Sequence, residues 1–462
     1  MSTGRSDHVE RSIRGELCES IDSDLPNQNH FALNSRSRSA QSVPFAYDQR
    51  REGAGMGERL VGWSRASQRT LFWVIRLLVF AAFFDLFVQY PIAAPYATTL
   101  GAGPALVGLI VAAYSMANLG ANLVAGALLD RLGRSGPLLA SLLLTALTVA
   151  CYALVSTPGQ LLGLRLVHGV VVAVLAPGAF ALVGDLAPPE QRGRLMGTNG
   201  AMIALAAIVA PAIAGILQER AGYAAVFLLD ALVLTGAGIV FLGFWKRVAR
   251  SGPVRDREPS ATGGWSGLIR QEIGPFATIL AFAIALGIFV THVPERLEFL
   301  GIPASVRGAA FSTYGILAAL VMISPLPSRF LRRAGLQASA AGLSLISIGL
   351  LVASAVRSVS PASLEQLTLI GAAIFGIGFG LLFPTVTAEA ARRSPPGMRG
   401  RAFGVFYALY SLGVVLGALA SGWLTEYVGR ASGWPLVAGA AVAALGCVVP
   451  FLERRTREEV AL

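Results

Sequence analysis

The chain runs to 462 residues, 54% of them hydrophobic and 14% charged, with 52 glycines and a mean hydropathy of +0.63, a balance that excludes an ordinary soluble globule. Its net charge of +11 would suggest nucleic acid on a soluble chain; here it marks membrane orientation, and no nucleic-acid partner is expected. Cys18, Cys151 and Cys447 stand far apart without ligand spacing, so neither disulfides nor a metal site is indicated.

Residues 1–67 are polar and rich in Ser and Arg, with no sustained apolar period, and read as a disordered cytoplasmic tail. Met56 follows Arg-Arg-Glu-Gly, whose codons can spell a purine-rich ribosome-binding sequence, so translation is expected to start there. A membrane-spanning helix needs about 20 mostly apolar residues. Six stretches qualify in the first half, at residues 71–92, 105–129, 137–155, 160–183, 195–217 and 222–243. Six more follow, at 274–292, 307–327, 337–355, 366–388, 402–425 and 432–451. The expected organisation is a bundle over 68–245, a basic cytoplasmic linker over 246–272, a second bundle over 273–452 and a cytoplasmic tail over 453–462.

The two halves are copies. Pro177, Pro188, Pro189, Arg192-Gly193-Arg194 and Gly197 recur 207 residues later as Pro384, Pro395, Pro396, Arg399-Gly400-Arg401 and Gly404. Gly101, Gly108 and Tyr114 recur 200 residues later as Gly301, Gly308 and Tyr314. Duplicated apolar segments predict an all-α integral membrane fold of twelve transmembrane helices in two homologous six-helix bundles, with the functional site between the halves. Alternate loops on the side of the linker and C-terminus carry 20 Lys and Arg against 5 in or bordering the opposite loops, Arg307 at a span edge included. The positive-inside rule therefore puts both termini in the cytoplasm.

GALLDRLGR, Gly126 to Arg134, falls between the second and third spans. It resembles the major facilitator superfamily signature G-x-x-x-D-R-x-G-R. Gly126 is expected to admit a neighbouring helix closely, while Asp130, Arg131, Gly133 and Arg134 form a charged conformational latch that exists in one state and breaks in another. The corresponding second-half segment has Ser328 where the acid would stand, so its latch is expected to be weak or absent. The resemblance implies two bundles rocking about a central cavity, exposing it alternately to each side. It leaves substrate and direction open.

In the fifth span, Ala206-x-x-x-Ala210-Pro211-x-x-Ala214-Gly215 resembles the efflux antiporter motif G-x-x-x-G-P-x-x-G-G, with Ala for three of its glycines. Close packing without bearing on direction is the alternative, and Pro211 is expected to bend the helix. Pro91 to Tyr96 is similar to a proline-paired segment of twelve-helix drug antiporters. Asp85, Arg165 and Asp230 lie inside spans, where a charge is costly without a partner or a cavity. Arg165 resembles the intramembrane arginine of proton-linked members, in which an acid of the first helix is a recurrent proton carrier. A proton-coupling pair of Asp85 with Arg165 follows, with a fixed structural ion pair as the alternative. His168, three residues after Arg165, is a candidate relay or a packing residue, and Asp230 is either part of the group or interfacial.

Tyr114, Asn118 and Asn122 recur at four-residue spacing and suit a polar cavity stripe or interhelical packing. Tyr314, Phe406, Tyr407 and Tyr410 are candidate aromatic cavity residues or interfacial ones. No nucleotide loop, metal cluster or nucleophile triad is legible, so an enzyme is not expected. The expected function is proton-coupled efflux of a small amphipathic molecule across a bacterial inner membrane, with no cofactor beyond the proton gradient, by a protein working as a monomer. Proton-linked uptake of a sugar or organic acid, export of a metallophore or other natural product, and a non-transporting sensor are the alternatives.

Overall fold

The computed structural model describes residues 65–187, 189–245, 265–354, 360–394 and 398–453, and among these the chain is helical almost throughout with no strand. The expectations for the N-terminal tail, for the start at Met56, for linker residues 246–264 and for residues 454–462 lie outside the described residues. The first span is α1 (Arg65–Val88) continued after a turn by α2 (Ala93–Thr99), and α3 (Pro104–Leu132) and α4 (Ser135–Tyr152) follow. The fourth span is α5 (Pro158–Val172) and α6 (Leu175–Leu186) in sequence, before the long α7 (Pro189–Leu242). The second half comprises α8 (Trp265–Phe299), α9 (Ala304–Ile323), a short α10 (Leu326–Ala334), α11 (Ala338–Ser354), α12 (Pro361–Arg393), α13 (Arg399–Val428) and α14 (Trp434–Gly446). Proline opens α3, α5 and α12, where its missing N–H costs nothing, and Thr157 with Gln160 closes a capping box on α5.

Among the described residues eleven helices are long and apolar enough to cross a membrane, and one apolar run within α7 covers 49 residues. At 1.5 Å per residue such a run would be about 74 Å long, more than twice the ~30 Å of a hydrocarbon core. The chain turns within it at Gly222, whose φ of 80° and ψ of 177° are foreign to a helix and open to glycine at little cost. α7 thus supplies the fifth and sixth spans, which makes twelve. Gly429, 207 residues on, ends α13 with a φ of 83°, so the duplication extends to backbone conformation. Pro211 lies inside α7, and the non-helical turn falls at Gly222, between the fifth and sixth spans. α8 opens at Trp265, inside the stretch expected to be linker, because Leu268 is buried with Met398 and Ala402.

Buried apolar residues fall into two large clusters. One draws on residues 71–241 and the other on residues 276–443, with Val415 and Ala418 of α13 joining the first. The bundles meet where α3 packs on α13 and α7 packs on α9. Both crossings are made by glycine, and each is the repeat of the other. A Cβ on Gly108 would sit 2.6 Å from the Ala418 carbonyl and 2.9 Å from Gly422 Cα; a Cβ on Gly308 would sit 3.1 Å from Gly215 Cα. Further along the same helices, a Cβ on Gly120, Gly126 or Gly404 would meet nothing within 4 Å. The bundles therefore converge at the end bearing Gly108 and Gly308 and diverge toward the other.

At the closed end each bundle caps a helix of the other. The N-cap positions of α3 and α9, Gly103 and Pro303, offer no side-chain acceptor to the free amides of the first turn. Glu426 of α13 accepts from Ala105 N at 3.2 Å, and Glu219 of α7 accepts from Ser305 N at 3.0 Å. The carboxylates also meet the positive ends of two helix dipoles. Replacing both Glu219 and Glu426 by Ala is expected to open this end. Spin labels on opposing bundles should then report a longer distance at that end, with no change inside either bundle.

Candidate functional site

Five spans bring a polar group together inside the first bundle. α1 presents Asp85 and the turn directly after it presents Gln89, α5 presents Arg165 and His168 one turn apart, and Tyr114, Tyr152 and Asp230 come from α3, α4 and α7. Asp85, His168 and Asp230 have no exposed surface, and Arg165 is 5% exposed. His168 Nε2 lies 3.1 Å from Asp85 Oδ2, and His168 Nδ1 lies 3.0 Å from the Tyr152 hydroxyl. An ionised Asp85 can only accept, which places a proton on Nε2 and leaves Nδ1 of a neutral ring to accept from Tyr152. Tyr152 is held in turn through its own carbonyl, which accepts from the Tyr96 hydroxyl at 2.8 Å.

Arg165 does not contact Asp85 in the expected pair. Its Nη1 donates to Gln89 Oε1 at 3.3 Å, its Nε donates to the Ile110 carbonyl at 3.4 Å, and its guanidinium lies 5.0 Å from the Tyr114 ring centroid. The reason is helical register: one turn forward on α1, from Asp85 to Gln89, matches one turn back on α5, from His168 to Arg165. The carboxylate therefore meets the imidazole while the amide meets the guanidinium. A stacked, hydrogen-bonded Arg165 is tolerated without a carboxylate.

Several valences in the group stay open. Asp85 Oδ1, Gln89 Nε2 and both Asp230 oxygens are buried at the centre of the group, without a protein hydrogen bond of good geometry. Asp230 nevertheless lies beside Asp85 and Gln89, within the group rather than at the interface. Two buried carboxylates side by side are costly, and such pairs recur where protons or ligands are handled.

The other expected residues divide. Asn118 donates to the Gly169 carbonyl at 3.2 Å and accepts from Asn122 at 2.7 Å, so this part of the stripe ties α3 to α5. Tyr114 stacks edge-on against His168 with centroids 5.0 Å apart. Tyr314 is buried among Phe289, Phe375 and Phe379 of the second bundle. Tyr407 is exposed beside Phe403 and the buried Phe406, whereas Tyr410 packs near Phe282. Tyr90, which sequence reasoning missed, packs against the core of the second bundle, with its ring 5.7 Å from Phe311. Its neighbours include Tyr114, Tyr314 and Tyr410, so it carries the polar group's helix to the meeting of the bundles. Gln89, the partner of Arg165, was missed as well.

At the divergent end, Arg134 Nε donates to Asp185 Oδ2 at 3.0 Å, joining the start of α4 to the end of α6. Asp185 was another missed partner. Arg131 is exposed, Gly133 ends α3 with a φ of 79°, and the Asp130 side chain lies outside the described residues. Gly126 admits no close neighbour here, because the helices have already separated at that depth. Ala210 and Ala214 are fully buried, and Gly215 packs on Gly308, so the motif around Pro211 builds the crossing of α7 with α9.

Near the closed end α8 buries Glu295, whose Oε1 accepts from Arg430 at 3.1 Å, and Arg430 also donates to the Ala102 carbonyl of the other bundle at 2.6 Å. These charges fall in a predicted loop and gave no intramembrane signal. Among the described residues no group of His, Cys, Asp and Glu has the arrangement of a metal site.

Twelve apolar helices in two related bundles, closed at one end by paired helix crossings, define a multi-pass membrane transporter. The chain belongs to the Major Facilitator Superfamily, whose family model matches residues 76–364 and 337–461. It is 25% identical over 380 residues to the inner membrane transport protein YajR of Escherichia coli strain K12, covering 80% of this chain and 78% of that one. It is also 25% identical over 316 residues to multidrug resistance protein 3 of Bacillus subtilis strain 168, covering 61% and 60% respectively. In fold it resembles a bacterial homologue of the human lysosomal transporter Spinster in an inward-facing, unoccupied conformation, with a TM-score of 0.69, 15% identity and coverage of 85% and 98%. The family is one of transporters acting on small molecules, not of enzymes.

Proposed function

We propose that this chain exports a small amphipathic molecule from a bacterial cytoplasm in exchange for protons, by alternating access between its two bundles in the inner membrane. The observation that carries the reading is the buried contact of Asp85 with His168, backed by Tyr152 and flanked by Arg165 and Asp230. A proton arriving at Asp85 removes the charge that holds His168, and the hydrogen-bonded chain through Tyr152 and the Arg165–Gln89 pair then relaxes. Gln89 and Tyr90 lie on the same stretch of the first span, so the change reaches the contact with the second bundle directly.

The excess of Lys and Arg in the loops beside the linker supports cytoplasmic termini. On that orientation the closed end faces the periplasm, the divergent end faces the cytoplasm, and the conformation is the one that loads substrate for export. Arg134 with Asp185 then forms part of a cytoplasmic latch around the loop that contains Asp130. Similarity to proteins named for multidrug resistance favours export over uptake. No cofactor is needed beyond the proton gradient, and a single chain supplies both bundles and the whole polar group.

Cells expressing the chain are expected to accumulate less of a cationic or amphipathic fluorescent dye than cells without it, and a protonophore should abolish the difference. Greater accumulation on expression would instead assign uptake.

A further inference from the structure

α10 has no counterpart among the predicted spans and no role in the transport scheme. It is a nine-residue helix, Leu326–Ala334, lying directly after the end of α9. Its faces are distinct. Pro327 is buried and Leu331 half-buried, one turn apart, and α10 packs against α12 on that side. Leu326, Arg329, Phe330 and Arg333 follow the i, i+3, i+4, i+7 rule and form one outward strip. Leu326 is 44% exposed and Phe330 42% exposed, and Arg329, Arg332 and Arg333 are exposed. The adjoining end of α9 is similarly outward, with Ile323 82% exposed, so the strip continues a lipid-facing surface at the point where a span ends.

The arginines of α10 have also lost the acids that the first half supplies. Ser328 stands where the first copy has Asp130, and Arg392 stands 207 residues after Asp185, the partner of Arg134. Arg392 and Arg393 are neutralised by Glu389, and Arg393 also by Glu453. No ion pair engages Arg329, Arg332 or Arg333 among the described residues. A strip that alternates large apolar side chains with uncompensated guanidiniums, at the level where a span ends, matches the boundary between acyl chains and anionic headgroups.

We propose that α10 is a docking surface for anionic phospholipid, with Leu326 and Phe330 in the acyl region and Arg329, Arg332 and Arg333 on the phosphate oxygens. The degenerate half of the duplicated latch has thereby become a lipid contact on the second bundle, and its occupancy does not depend on what is transported.

Native mass spectrometry of the full chain, titrated with phosphatidylglycerol or phosphatidylcholine, tests this. Wild type should retain phosphatidylglycerol preferentially. Replacing the three arginines by Gln should weaken that binding roughly a hundredfold, the equivalent of about 1 kcal/mol for each basic residue near an anionic surface. The triple Lys variant should keep most of the preference, and Arg220→Gln, a charge removed at the closed end, should leave it intact. Equal phosphatidylglycerol retention by wild type and the triple Gln variant would overturn the proposal. So would displacement of the lipid by inorganic phosphate alone, since that would make the site an anion site rather than a lipid surface.

Discussion

Asp85→Asn should yield a folded, membrane-inserted protein whose transport no longer follows the proton gradient. Asn is nearly isosteric with Asp, so packing inside the first bundle survives, and its amide can still meet His168 in the flipped orientation. What disappears is the ability to exchange a proton and thereby to make and break the charged contact at 3.1 Å. A coupling of the usual size for linked sites would be lost, so gradient-driven flux should fall roughly 5- to 150-fold. Substrate-driven counterflow without a gradient should persist. Replacing Tyr152 by Phe should give a smaller loss, because it removes the outer hydrogen bond to His168 Nδ1 and leaves the contact of His168 with Asp85 in place. Undiminished gradient-driven transport in Asp85→Asn would remove Asp85 from the mechanism.

The second large effect concerns the crossings at the closed end. Gly308→Leu drives a side chain into the Pro211 carbonyl and the Gly215 backbone, and Gly108→Leu does the same against Ala418 and Gly422. Overpacking of this kind costs about 1–3 kcal/mol. Here the cost falls on one conformation, because the bundles can separate and relieve it. The closed population at that end should drop roughly 5- to 150-fold for each variant. Spin labels on the two bundles should report the opening, while far-ultraviolet circular dichroism and thermal unfolding change little. Since the crossings are repeats of one another, the two variants should resemble each other. A strong effect at only one would mean that the duplicated geometry does not gate symmetrically.

Much of this architecture was legible because membrane helices announce themselves by length and apolarity, and because the repeats at 200 and 207 residues survive as exact spacings. Those spacings also foretold which glycines would be related, and Gly108 with Gly422 and Gly308 with Gly215 form one contact made twice. Partners were harder to read. That Asp85 and Arg165 belong to one buried group followed from burying charge in a membrane, whereas His168 and Asp230 stayed open to packing and interfacial readings, and which acid met which base depended on the antiparallel register of α1 and α5. Tyr152 and Asp185 gave no local signal, since a Tyr at a helix end and an Asp near a loop are ordinary there. The glutamate caps were equally hidden, because each joins residues more than 80 positions apart. α10 escaped notice because its apolar residues merge with the following span.

Proton coupling through Asp85 is tested most directly by pH-dye fluorescence in energised inverted membrane vesicles, with a panel of candidate compounds added to wild type and Asp85→Asn at matched expression. Compound-dependent proton release through wild type, absent from Asp85→Asn, is the predicted result. Equal proton release from both proteins would contradict it.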